Sequence, residues 1–358
     1  MGDRFINGEA LIPILDRPIN DSYSYLAEKY GIFLQPLSNI KSITFYSENK
    51  VATLSGYLGF LNSRGRHSQS FENQLSKQVK SDIIFNSNVT YEQLLKDFTH
   101  VILATGDAAY ASKIQDFKVD LTVTLKGATV EGKFDRFSAA IWLDNNLAPK
   151  GYGYLMPFSE REASITIGYP DYPENRSKDI NAIWGNFYDR VCTNLNQNLK
   201  VTDNFEITRY IIGQCQSPRL GNTFFVGNCF GAIMPAFGFG QLPAMLTGVY
   251  AAFDLVCKGN YAELVKHLQE SYNNSLVIRR SMEQLDNRKL DILVSLFNTK
   301  LANYIFNNQK INPFKTASYL LKPQVKIRAA LNKNSRMVRK RINSPPSNPS
   351  SKKNKNSG

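Results

Sequence analysis

The apolar positions of this chain change period along its length, and the changes divide it into parts. From about residue 241 to 258, Leu242, Met245, Leu246, Val249, Ala252, Phe253 and Val256 recur at helical spacing. The run before it, Phe224, Phe225 and Val226, has the length of a strand, and the loop between holds Gly231, Pro235, Gly238 and Gly240. The pattern predicts a strand, a glycine-rich loop and a helix, to which the rest of the chain is referred.

Upstream, the pattern predicts a helix over 23–30 stopped by Gly31, a hairpin of 40–46 with 51–54, a short strand at 82–85 and a helix at 91–97. Residues 101–104 read as a buried parallel strand that ends at Thr105-Gly106. Ligands of open α/β sheets gather at the carboxyl ends of strands, so this turn and Gly227-Asn228 are the two places expected to face one. From Val119 the character changes. Segments 119–125, 129–134, 139–143, 152–158, 164–169 and 205–212 are strand-like, many alternating apolar with polar, with a helix at 183–195 between them. Their close spacing predicts an antiparallel sheet in a second lobe. Helices follow at 261–276, 278–296 and 301–306, Pro313 and Pro323 punctuate the next stretch, and the low-complexity end, 343–358, is expected to be disordered.

Composition narrows the function classes. A chain of 358 residues with 42% hydrophobic content can bury a full core in two lobes. The four cysteines, Cys192, Cys215, Cys229 and Cys257, form no C-x-x-C pair and there are three histidines, so neither a zinc site nor a disulfide framework is indicated. No apolar run is long enough to span a bilayer and the opening MGDRFINGEA has no signal-peptide core, which predicts a cytoplasmic protein. Charge is unevenly spread. From Ile292 onward there are fourteen Lys/Arg and no Asp/Glu, leaving 29 basic against 30 acidic residues before it. A nucleic-acid surface on the folded body is therefore unsupported. The basic segment 322–341, with Val325, Ile327, Leu331, Met337 and Val338 interspersed, suits an anionic membrane surface or a solvated tail.

Glycines placed as in 227–240 let main chain approach a ligand closely, and free N–H groups at the following helix attract negative charge, whether a phosphate or the pyrimidine edge of a reduced flavin. A tight strand-to-helix turn of any α/β protein fits the spacing as well. The pattern G-N-x-x-G-x-x-x-P-x-x-G-F-G from Gly227 to Gly240 resembles the second flavin-binding motif of FAD-dependent oxidoreductases of the geranylgeranyl reductase family. Residues 100–106, HVILATG, resemble the strand ending in A-T-G that lies under the cofactor there. Residues 151–158, GYGYLMPF, followed by Gly168, resemble the family's aromatic Y-x-W-x-F-P signature, with Tyr154 in place of tryptophan and Met156 in place of phenylalanine. The three motifs occur in the family's order and cover roughly residues 1 to 290. One element is absent from the sequence: no G-x-G-x-x-G fingerprint occurs, so the reading is of a truncated frame or of a remnant that no longer binds FAD in the ordinary way.

The resemblance implies an α/β, two-lobed fold: an FAD-binding lobe in 1–116 and 216–260, an antiparallel substrate lobe in 117–215, a helical region in 261–335 and a disordered basic tail in 336–358. It implies FAD as cofactor, held by Arg66, Thr105, Gly106, Gly227, Asn228, Pro235, Gly238, Phe239 and Gly240. Asn228 stands where the family has an aspartate that accepts from a ribityl hydroxyl; a plain turn asparagine is the alternative. Arg64 or Arg66, ahead of a helix capped by Ser68 or Ser70, could reach a pyrophosphate or be solvated. Tyr152, Tyr154 and Phe158 alternate on one strand face, suiting an apolar, isoprenoid or lipid substrate, or core packing; Trp142 carries the same ambiguity. Cys229 reads as an apolar filler. His67, His100 and His267 are isolated, and no proton source or electron donor is named by the sequence. The function expected is reduction or oxidation of carbon–carbon bonds, with a flavin monooxygenase or a non-catalytic remnant as alternatives.

Overall fold

The computed structural model describes residues 5–342 apart from 309 and 311, with side chains to residue 327; of the tail expected to be disordered, residues 343–358 lie outside the described residues, while 336–342 continue a helix. The chain opens with strand β1 (Ile6–Leu11), a single helical turn α1 (Pro13–Asp16) and helix α2 (Ser22–Tyr30). Asp21 caps α2 by accepting from Tyr23 and Ser24 N–H, and Gly31 ends it in the left-handed conformation. A hairpin of β2 (Ser38–Tyr46) and β3 (Val51–Gly65) follows, then α3 (Phe71–Ser76), capped by Ser70, and α4 (Tyr91–Asp97). Next come β4 (Val101–Leu103), α5 (Ala108–Ile114), the long β5 (Phe117–Glu131), β6 (Ser138–Trp142), β7 (Tyr152–Pro157), β8 (Glu162–Pro170), α6 (Ile180–Leu195) and β9 (Lys200–Cys215). The short β10 (Arg219–Leu220) and β11 (Thr223–Phe225) lead into α7 (Gln241–Leu255), and the described chain ends in α8 (Tyr261–Leu264), α9 (Lys266–Met282), α10 (Asn287–Phe297), α11 (Lys300–Asn307) and α12 (Pro313–Ile342).

Two sheets organise these elements. The smaller has the order β10-β11-β4, with β11 parallel to β4 and β10 antiparallel to β11. Phe224 and Phe225 are fully buried because β11 lies between neighbours and under α7, against Leu246, Ala251 and Tyr261. The larger sheet has eight strands in the order β1-β3-β2-β6-β7-β8-β5-β9, and all its pairs are antiparallel except β2 with β6. Its strands include β1, β2 and β3, which the sequence reading places in the first lobe. The 15-residue β3 is long enough to pair with both β1 and β2, and that draws them in.

One face of the large sheet is covered by α6. Trp142, Ile165 and Ile167 pack there against Phe187 and Val191, and Trp184 packs at a tilt on the same Phe187. The sheet then curls so far that β1, an edge strand by pairing, lies across β7 and β8. Asn7 is buried where they meet: Tyr154 Oη, Ser164 Oγ and Thr166 Oγ1 each donate to its Oδ1 at 3.1 Å. Gly8 follows, and a Cβ there would stand 2.6 Å from Met156 Cβ.

Three expectations change. Residues 82–85 are not a strand, for they have no strand partner among the described residues, and Ile84 and Phe85 are exposed. β4 is buried on one side only: its edge away from β11 carries no strand among the described residues, and Ile102 is exposed. The helix expected over 278–296 is broken between Met282 and Asn287, where Asp286 caps a new helix by accepting from Lys289 N–H.

The contact at Gly8 makes a test of the curled sheet. Gly8→Val is expected to lower stability by about 1–3 kcal/mol through overpacking, read from urea unfolding followed by far-UV circular dichroism, while Gly185→Val in α6, where a Cβ meets nothing within 4 Å, costs clearly less.

Candidate functional site

The loop between β11 and α7 has two ends in different surroundings. At the first, Gly227 N–H donates to Thr247 Oγ1 at 2.8 Å, pinning the turn to α7. Asn228 Nδ2 donates to the carbonyl of Gly106 at 2.7 Å and to the hydroxyl of Tyr210, which itself donates to the Gly106 carbonyl at 2.8 Å. The turn after β4 and the turn after β11 therefore meet, as the parallel pairing of their strands requires. Thr105 Oγ1 lies 3.1 Å from Cys229 Sγ. That thiol is buried, burial foremost pushes its pKa up, and it packs as the filler the sequence suggests. Gly106 adopts φ +81° and a Cβ on it would meet nothing within 4 Å, so its main chain faces open space.

At the second end the loop folds on itself. Met234 N–H donates to Phe239 O at 2.7 Å and Gly238 N–H to Met234 O at 2.9 Å, while Ser275 of α9 accepts from Ala236 N–H. Gly238, at φ +72°, also has open space where a side chain would be. Gly240 leads into α7 without a side-chain cap, leaving the first N–H groups of that helix free of one.

Pro235, Gly238 and Phe239 form part of the wall of a cavity of about 1810 Å³. Its floor is the face of the large sheet opposite α6, where Ile43, Ile141, Tyr152, Tyr154 and Met156 point inward by the two-residue period. Helices α9 to α12 roof it, through Ile278, Leu293, Phe297, Phe306 and Phe314. Binding pockets for small molecules commonly span roughly 300–1,000 Å³, so this one has room for a long apolar molecule. Tyr152 donates its hydroxyl to the carbonyl of Phe237, which ties the floor to the loop. Phe158, expected on the same face, is elsewhere: β7 ends at Pro157, the period of two ends with it, and the Phe158 ring packs 4.9 Å from that of His67. Trp142, of opposite parity to Ile141, belongs to the α6 core.

A polar chain runs beneath the loop. Glu9 of β1 accepts from Gln241, the first residue of α7, and lies 3.5 Å from Arg64, which pairs with Glu72 at 2.5 Å. Asn62 donates to Gln241 at 3.0 Å and accepts from Tyr23. Burial raises the Glu9 carboxyl above the usual range, Arg64 opposing this and Glu72 adding to it. Asp16, beside Phe239 and Gly240, is pushed up by burial to about 7. Both acidic groups went unnoticed in the sequence. Glu9 sits in INGEAL, a strand with a glycine and a charge that breaks the apolar alternation. Of the two arginines considered for a pyrophosphate, Arg64 is held by Glu9 and Glu72, and Arg66 pairs with Asp203 at 2.6 Å.

The sequence matches no protein-family model, and no curated protein is similar to it in sequence. Solved structures are similar in fold. A geranylgeranyl bacteriochlorophyll reductase-like protein from Thermoplasma acidophilum superposes with a TM-score of 0.56 at 13% identity, over 91% of this chain and 87% of that one. A flavin-dependent brominase gives 0.56 at 14% identity over 93% and 90%, and a flavoprotein/dehydrogenase from Cytophaga hutchinsonii gives 0.55 at 15% identity over 90% of each chain. Over nine-tenths or so of its length this chain therefore shares its fold with these three solved structures.

Proposed function

We propose that this chain is an FAD-dependent oxidoreductase whose substrate is an apolar, isoprenoid-like molecule held in the cavity under the large sheet. The observation that carries the reading is the loop 227–240, which begins at the meeting of the two strand ends and finishes in the wall of a large apolar cavity. A flavin at this loop would supply hydride or electron-pair transfer to whatever the cavity holds.

The residues present fit the ring and ribityl end of such a cofactor. Gly106 and Gly238 offer main chain facing open space, Asn228 offers a side-chain amide at the strand ends, and the start of α7 offers N–H groups to negative charge. For the adenosine end, no G-x-G-x-x-G occurs in the sequence, and Arg66 is paired with Asp203. The chain's grip on the cofactor thus rests on Thr105, Gly106, Gly227, Asn228 and the segment from Pro235 to Gly240.

Substrate is oriented by the floor of the cavity, where Tyr152 and Tyr154 give aromatic faces to an apolar chain while their hydroxyls stay bonded to protein. The proton that saturation of a double bond requires comes from Glu9. It lines the cavity beside the loop, burial raises its pKa and so favours the protonated form, and its partner Gln241 is fixed at the start of α7.

Two outcomes test these assignments. Reconstitution with FAD is expected to quench flavin fluorescence on binding, and Gly238→Val to weaken binding at least about tenfold, because a Cβ at positive φ costs ~1–2 kcal/mol and fills the open space; unchanged affinity would remove the loop from the site. With dithionite as electron source and geranylgeraniol as probe, gain of dihydrogen is read by mass spectrometry. Glu9→Gln is expected to lower the rate about 100-fold and to remove the fall in rate as pH rises through the carboxyl's pKa, with flavin affinity intact. Oxygen uptake with hydroxylation of the probe, and no anaerobic reduction, would move the chemistry to the monooxygenase alternative.

A further inference from the structure

We propose that the outer faces of α10, α11 and α12 dock on an anionic lipid bilayer, and that the cavity takes its apolar occupant from that side. The docking stands without the flavin reading; only its role in delivering substrate rests on it.

The three helices are apolar on two sides. Leu290, Leu293 and Phe297 of α10 turn to the cavity, yet Ile292 of the same helix is 62% exposed. In α11, Phe306 lines the cavity and Leu301 is 66% exposed; in α12, Phe314, Leu321 and Val325 line it, while Leu320 is 74% exposed and Ile327 61%. A helix at a water surface keeps its outer side polar. Helices that cover a cavity with one apolar side and present another need a second apolar phase.

Charge selects that phase. Residues 287–327 hold seven Lys/Arg and one acidic residue, Asp291, whose carboxylate accepts from Ser47 and Asn49. Lys322 and Lys326 lie on α12 in the same turns as the exposed Leu320 and Ile327. A second copy of the chain would bring two such basic faces together against repulsion, whereas anionic headgroups complement them. The attachment is to the surface, since no helix among the described residues is long and apolar enough to cross a membrane.

The cavity meets the outer surface on these same helices. Leu321, Lys322 and Val325 contribute to its lining from within the turns that present Leu320 and Ile327 outward. An apolar molecule leaving a bilayer against α12 would pass from lipid to cavity with little exposure to water, avoiding the cost of hydrating its chain.

The test is cosedimentation of the full chain with phosphatidylcholine vesicles, with and without phosphatidylglycerol. Binding is expected to the anionic vesicles and to weaken on adding salt. The pair Leu320→Ser with Ile327→Ser is expected to reduce it at least tenfold, and Lys300→Glu with Lys326→Glu to abolish the preference for phosphatidylglycerol. Flavin affinity, measured in parallel, should not move in either pair, which separates this proposal from the assignment of the loop. No vesicle binding, binding unaffected by both pairs, or binding lost only on deleting 343–358 would overturn it. So would a dimer in sedimentation velocity that Leu320→Ser dissociates, since the face would then be covered by a second copy.

Discussion

The molecule depends on one crossing: β1 laid over the face of β7 and β8. It is possible because Gly8 has no side chain to hold the strands apart and because the amide of Asn7, sunk in the crossing, finds Tyr154, Ser164 and Thr166 as partners. A buried amide with those bonds missing would oppose folding, so crossing and network stand or fall together. From it follow the curl of the eight-stranded sheet, the inward aim of Tyr154, and the placing of Glu9, two residues along, beneath the loop that opens α7.

That arrangement joins regions distant in sequence. Residues 227–240 touch the end of β4 at one extreme and the roof of the cavity at the other, and they are fastened at both by side chains from other elements: Tyr210 of β9, Thr247 of α7, Ser275 of α9 and Tyr152 of β7. A loop held at four points keeps its shape without a ligand, so a cofactor arriving there loses little to ordering of the protein. The ion-paired chain Glu9, Arg64 and Glu72 adds a second fixed layer below.

Much of this could be read from residue order, and the reasons for the remainder are physical. Strand, loop and helix at 223–255 were legible because fully buried apolar runs, glycine breaks and helical spacing each leave a local mark. The antiparallel strands from 117 to 170 were legible through alternation, and Gly31 and Ser70 through their capping chemistry. β1 was not, because Asn7 and Gly8 are determined by what they meet about 150 residues along the chain and Glu9 by Gln241, 232 residues away, and at the level of the segment they look like a turn. Phe158 misled because a period of two holds only while the strand lasts. Arg66 looked free in sequence, but Asp203, which holds it, is 137 residues away. The basic end was visible as composition, while the outward aim of Leu320 and Ile327 needed the helices in place.

The two tryptophans of the chain, Trp142 and Trp184, both pack on Phe187 between α6 and the large sheet. Indole emission will consequently follow the melting of that layer and stay silent about the parallel strands and the loop beside them. A spectroscopist who saw one smooth fluorescence transition would have watched half a molecule, and would need a probe set near Gly106 to learn whether the other half lets go at the same moment.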